Sequence, residues 1–273
     1  MLKEIFAIGN YTDLSLNKQR PFFGKVLTVL KTYGLIFLFL IAISPVLFLA
    51  DYCVTQIFHH KSISHEGDET FKHLIKRLGY ITTLVYICLI GPILEETIFR
   101  LPLSFKRVHI AISITVAALL FGSALPFAKS FLLHNGHVYA LLVLIIIAVV
   151  ISSACFILLP SDIILRPLYK KTVTIISICL FGLMHVFNYG TLQWQLLWIY
   201  PIYVLPQLGM GVGLTYIRFK NGFVWAIALH CLTNSVSMAL SFTHQSPTNV
   251  PSPHILSKPA HPSASPIKPP KGN

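Results

Sequence analysis

Long uninterrupted apolar runs dominate the chain. Residues 35–50, 110–121 and 138–160 contain no Asp, Glu, Lys or Arg. A bilayer core of about 30 Å needs roughly 20 mainly apolar residues per spanning helix. Seven segments approach that length: roughly 32–50, 79–99, 108–128, 138–159, 172–189, 194–217 and 222–242. The pattern predicts an all-α, polytopic transmembrane helix bundle of about seven spans (six to eight), occupying residues 32–242.

The polar stretches between these runs predict the rest of the organisation. Residues 1–31 are polar and basic, and read as a cytoplasmic segment leading into an uncleaved signal anchor. Residues 51–77 carry His59, His60, Lys61, His65, Glu66, Asp68 and Glu69, and predict a surface loop or a short amphipathic helix. The histidines there have no convincing metal-ligand spacing. From residue 246 to 273 the chain is rich in Pro, Ser and Lys and cannot bury a core, so a disordered tail is expected.

Composition narrows the class further. The chain is 55% hydrophobic and 11% charged, where an ordinary soluble domain carries about 25% charged residues. That excludes a disordered protein and a basic nucleic-acid module. The net charge of +12 is explained by location. With the amino terminus inside, the short cytoplasmic segments hold most of the basic residues, among them Lys18, Arg20, Lys25, Arg100, Lys106, Arg107, Arg166, Lys170, Lys171, Arg218 and Lys220. The basic excess reads as topology and contact with anionic lipid, with no nucleic-acid partner. The five cysteines are odd in number, mostly lie in apolar runs, and suggest no disulfide or metal framework.

Acids are scarce, so their positions are informative. Seven of the nine sit in tails, loops or helix ends; only Glu95 and Glu96 fall inside an apolar span. Charges within a membrane face a bundle interior or an aqueous cavity. Glu96 and Arg100 are four residues apart on one helical face and can pair. Glu95 lies about 100° round the helix from Glu96 and is free to face something else. Glu96 is read as chiefly neutralising Arg100, and Glu95 as the functional carboxylate.

Two histidines stand apart from the solvated majority. His185 follows Phe181 by one turn, and His230 precedes Asn234 by one turn. Either alone suits a structural interhelical hydrogen bond. Counted at about 1.5 Å per residue from the cytoplasmic ends, Glu95 lies roughly 8–15 Å deep, His230 about 12 Å and His185 about 21 Å. Tilted helices can bring them into one cavity, with His185 the loosest fit.

Three spaced motifs hold these residues: Glu95-Glu96-Thr97-Ile98-Phe99-Arg100, Phe181-Gly182-Leu183-Met184-His185 and His230-Cys231-Leu232-Thr233-Asn234. In this order, over roughly residues 80–240, the chain resembles the CAAX protease and bacteriocin-processing (CPBP, or Abi) family of intramembrane glutamic endopeptidases. Its signatures are Glu-Glu-x-x-x-Arg, Phe-x-x-x-His and His-x-x-x-Asn. Two features depart from the family pattern. Between the first two signatures lies an apparent extra helical hairpin, 108–159, and Leu101-Pro102 follows Arg100 where a glycine is common.

The resemblance implies a mechanism without metal or cofactor. Glu95 acts as general base on a water that attacks a peptide carbonyl. His185 helps place the water or move its proton, and His230 and Asn234 donate to the developing oxyanion. Glu96 and Arg100 hold the helix end, with Phe181 in support. The implied substrate is a membrane-anchored protein or peptide, with prenylated proteins one class. The implied location is a bacterial plasma membrane, with the site in its cytoplasmic half. Read without the resemblance, the same residues also allow a zinc peptidase, or a non-catalytic scaffold or proton-coupled transporter.

Overall fold

A computed structural model describes residues 21–122, 137–161, 163 and 166–244 of the chain. Among these residues the secondary structure is helical, without strands. The carboxyl-terminal tail and residues 1–20 lie outside the described residues.

Helix α1, Phe22–Tyr52, begins directly after Pro21 and continues through a π turn, Cys53–Ile57. It starts ten residues before the apolar run at 32, with Thr28 and Val29 buried in that first stretch, so packing rather than helix propensity supports it. At 31 residues it is about 46 Å long, more than a bilayer core requires. Helix α2, Ile63–Leu78, realises the amphipathic alternative for the polar stretch. Ser62 caps it by accepting from the His65 amide at 3.0 Å, and it stops at Gly79, whose φ of +79° suits glycine.

Helix α3, Tyr80–Val85, runs through a π turn, Tyr86–Ile90, into α4, Gly91–Phe99. The helix ends at Phe99, just before Leu101-Pro102, and a 3₁₀ turn, Pro102–Ser104, follows. Helices α5, Arg107–Gly122, and α6, His137–Leu158, form the extra hairpin, with α5 against α4. Helix α7, Pro167–Met184, continues as a 3₁₀ turn, His185–Tyr189.

The apolar segment 194–217 is not one helix. It divides into a 3₁₀ turn, Trp194–Leu196, a four-residue helix α8, Tyr200–Tyr203, and α9, Leu205–Lys220. Pro201 and Pro206 cause the breaks, since each lacks an amide hydrogen and is accommodated only in the first turn of a new helix. Helix α10, Phe223–His244, completes the described bundle.

Among the described residues, four helices are long and apolar enough to cross a membrane: Phe22–Ile57, Tyr80–Ser104, Leu168–Tyr189 and Phe223–Ser241. Many large apolar side chains face outward, such as Phe23, Ile81, Ile157 and Val224, as expected where the surroundings are lipid.

Helix α9 is the axis of the fold, packed against α1, α7 and α10. Glycines make this close approach possible. A Cβ on Gly213 would lie 2.6 Å from Ile36 Cδ1 of α1, and one on Gly211 would lie 3.1 Å from the Phe181 ring of α7. One apolar cluster, including Phe99, Phe181, Leu214, Ile217 and Leu229, supports the helix end that carries Arg100. A second, including Val54, Ile63, Leu196 and Tyr203, seats the start of α2. Asp51 ties that second region together by accepting from the Ser62 hydroxyl at 2.8 Å and from the Tyr203 hydroxyl at 2.9 Å. A cavity of about 760 Å³ opens between α2, α4, α9 and α10, with Glu95 and His185 in its wall.

Candidate active site

The π turn sets the direction of the carboxylates. The Gly91 amide donates to the Tyr86 carbonyl, five residues back. In that pattern the partner of the Ile87 carbonyl would be Pro92, which has no amide hydrogen. Asn234 Nδ2 on α10 donates to the Ile87 carbonyl instead, at 2.9 Å. One amide hydrogen of Asn234 is therefore committed to holding α3 and α4 in register. We expect Asn234→Leu to cost about 1–2 kcal/mol by leaving that carbonyl unpaired. Denaturation in detergent micelles measures this, and an unchanged midpoint would show that the bond does not matter.

Just beyond the π turn, Glu96 and Arg100 form the expected pair. Arg100 Nη1 lies 3.2 Å from Glu96 Oε1, and both side chains are fully buried. The guanidinium lies over the Phe181 ring, 3.8 Å from its centroid, and Nη2 reaches the Gly211 carbonyl at 3.5 Å. Arg218 donates to the Arg100 carbonyl at 3.2 Å, so the helix end is held from α9 as well. Phe181 also meets His185 and His230 edge-on, with centroid distances of 4.8 and 5.7 Å. It is the shared wall of the arginine and both imidazoles.

Glu96 has a second partner that helical spacing does not reveal. His230 Nδ1 lies 3.0 Å from the same Oε1 that faces Arg100. Because the Arg100 guanidinium, which can only donate, faces the same oxygen, that oxygen is an acceptor and the imidazole donates to it. A carboxylate on Nδ1 fixes the tautomer of His230 and leaves Nε2 turned toward Glu95. His185 is fixed in the same manner. Its Nδ1 lies 2.8 Å from the Phe181 carbonyl, which can only accept, so Nδ1 carries the hydrogen.

Both Nε2 atoms then face Glu95. His185 Nε2 and His230 Nε2 each lie 3.7 Å from Glu95 Oε2. This is beyond direct hydrogen-bond range. Glu95 Oε2 and His230 Nε2 are buried and have no hydrogen-bond partner. With neutral rings, three acceptor atoms converge on one point, an arrangement that favours a group bringing its own hydrogens. Among the described residues, no group of three or more His, Cys, Asp and Glu is arranged to hold a metal ion.

The sequence-predicted residues thus gather from three helical segments. Glu95 lies equally near His185 and His230, at 3.7 Å from each, so His185 is not the outlier that the depth count suggests. Its position at the end of α7, where the chain tightens into a 3₁₀ turn, brings the ring back over Phe181. Asn234 contacts the π turn. No protein family, curated protein or solved structure compared with the chain matches it.

Proposed function

We propose that the chain is an intramembrane endopeptidase that uses Glu95 to activate water. The observation carrying this reading is the Glu95 carboxylate, in a cavity wall, faced by two imidazoles whose Nδ1 atoms are already engaged. A water entering that point donates one hydrogen to Glu95 and can donate its other to a histidine Nε2. Proton transfer to Glu95 leaves hydroxide to attack a peptide carbonyl carbon. His230, in a form that carries a hydrogen on both nitrogens before water enters and keeps both throughout, bridges Glu96 and the developing oxyanion, so the water's other hydrogen goes to His185 Nε2, and the second amide hydrogen of Asn234 serves the same oxyanion. Collapse breaks the C–N bond, and the proton on Glu95 passes to the leaving amine. The sum is peptide and water going to acid and amine.

The three ordered signatures resembling the CPBP family support the same reading, as do the four helices among the described residues that are able to cross a membrane. In the full arrangement we propose, the hairpin α5–α6 and the broken segment with α9 complete about seven spans. The amino terminus lies in the cytoplasm of a bacterium, and the site in the cytoplasmic half of its plasma membrane. The substrate is a membrane-anchored protein or peptide.

Comparative membrane proteomics of cells carrying wild type or Glu95→Ala tests the proposal. An uncleaved precursor should accumulate in the variant, and purified wild type in detergent should cleave it. Cleavage by Glu95→Ala at the wild-type rate would sink the assignment.

A second reading uses the same residues around zinc: two imidazole Nε2 atoms and a carboxylate match a catalytic zinc site in composition, and Nδ1 hydrogen bonds to a carboxylate or a carbonyl are the usual support for such ligands, although among the described residues they are not arranged to hold a metal ion. Cleavage persisting after exhaustive chelation, in protein free of metal by elemental analysis, would exclude it.

A further inference from the structure

The cavity continues well past Glu95 and His185, and a row of polar groups runs through a lining that is otherwise mainly apolar. Helix α10 presents Asn234, Ser237 and Ser241 to it, at helical spacings of three and four. Across from them, Gln207 of α9 contributes an amide. That amide engages the Tyr189 hydroxyl, which itself donates to the Tyr203 carbonyl at 2.8 Å. The other end of the group, Gln207 Oε1, is buried and has no hydrogen-bond partner. A buried acceptor held in place and left unpaired is suited to a donor that arrives with a ligand.

Charge defines the ligand further. Among the described residues lining the cavity, the acids are Asp68 and Glu95, and there is no Lys or Arg. Asp68 lies on the rim, on α2. Its neighbour Glu69 is already bonded to Lys72 at 2.8 Å, and this hydrogen bond holds the Glu69 carboxyl below its ordinary range. The cavity therefore repels phosphates, anionic headgroups and free carboxylates, and its amides and hydroxyls match the alternating donors and acceptors of a peptide backbone.

We infer that the cavity receives an extended polypeptide segment, neutral or cationic in side-chain charge, with one backbone N–H donated to Gln207 Oε1 and a basic side chain facing Asp68. This deepens the peptidase reading, on which it rests only for the bond that is cut. An internal segment fits, whereas a chain end bearing a carboxylate does not.

Binding tests this apart from catalysis. Glu95→Gln protein in detergent is titrated with fluorescein-labelled ten-residue peptides that differ only by Lys or Glu at one position, moved along the peptide. The Lys peptide should bind several-fold tighter at one position, and Asp68→Asn should remove that preference. A scan of single backbone N-methyl groups should find one that weakens binding about tenfold to Glu95→Gln and Glu95→Gln/Gln207→Glu, but not to Glu95→Gln/Gln207→Leu. Gln207→Glu keeps an acceptor oxygen, so it separates loss of that contact from loss of folding. Equal binding of Lys and Glu peptides at every position, or N-methyl effects indifferent to residue 207, would overturn the inference while leaving peptide cleavage intact. Selective binding with no cleavage by wild type would uphold the inference and defeat the peptidase reading.

Discussion

Arg100→Met is expected to destabilise the protein by about 3–5 kcal/mol, the usual cost of leaving one partner of a buried ion pair behind. The guanidinium is fully buried over Phe181 and lies 3.2 Å from Glu96 Oε1. Without it, a carboxylate remains at zero exposure with only His230 as a partner. Methionine fills much of the same apolar path, so lost packing contributes little and the unpaired charge dominates. The double variant Arg100→Met/Glu96→Gln removes both charges and should recover a substantial part of the loss. Chemical denaturation of purified protein in micelles reads both variants. Equal stability of Arg100→Met and wild type would mean that the pair is not the keystone described here.

Glu96→Gln carries the largest expected effect on turnover among residues outside the water-activating point. Its oxygen accepts from His230 Nδ1, and an amide there removes the charge that supports the doubly protonated ring and can itself donate to Nδ1, so the charge-assisted bridge from Glu96 through His230 to the oxyanion is lost. A comparable loss of the orienting carboxylate in a serine-protease triad costs about 10⁴-fold. The expected loss here is about 10²–10⁴-fold in kcat per folded molecule, with a smaller change in KM. A purely structural role would lower the amount of folded protein without changing the shape of the pH–rate profile. Positioning predicts a displaced profile and a changed His230 protonation by nitrogen-15 NMR. Turnover within a few-fold of wild type, with an unmoved profile, would leave Glu96 as no more than the partner of Arg100.

Four-residue spacing makes the Glu96–Arg100 pair legible, because both groups belong to one helix. The scarcity of acids singles out Glu95, and the apolar setting singles out His185 and His230. The second partner of Glu96 is illegible, because it depends on the rotation of α10 against α4 and no local pattern encodes that. The same limit hides Gln207, an ordinary glutamine in an apolar stretch until the bundle surrounds it. The division of 194–217 was accessible in principle. Pro201 and Pro206 signal two breaks, but the length and apolar content of the segment favour a single span when hydropathy alone is counted. For α2, polarity predicts an exposed element, yet its apolar face, with Phe71 and Leu74, borders the cavity that contains Glu95.

The π turn at Tyr86–Ile90 is equivalent to one residue inserted into an α-helix. In a chain one residue shorter there, ordinary winding would return, and Tyr80–Val85 would turn by about 100° relative to Glu95. The upstream helix and the carboxylate could not then both keep their present facing. The spacing from Gly79 to Glu95 is thus constrained in length as strictly as the site is in composition, and a single deletion there would be more disruptive than most substitutions.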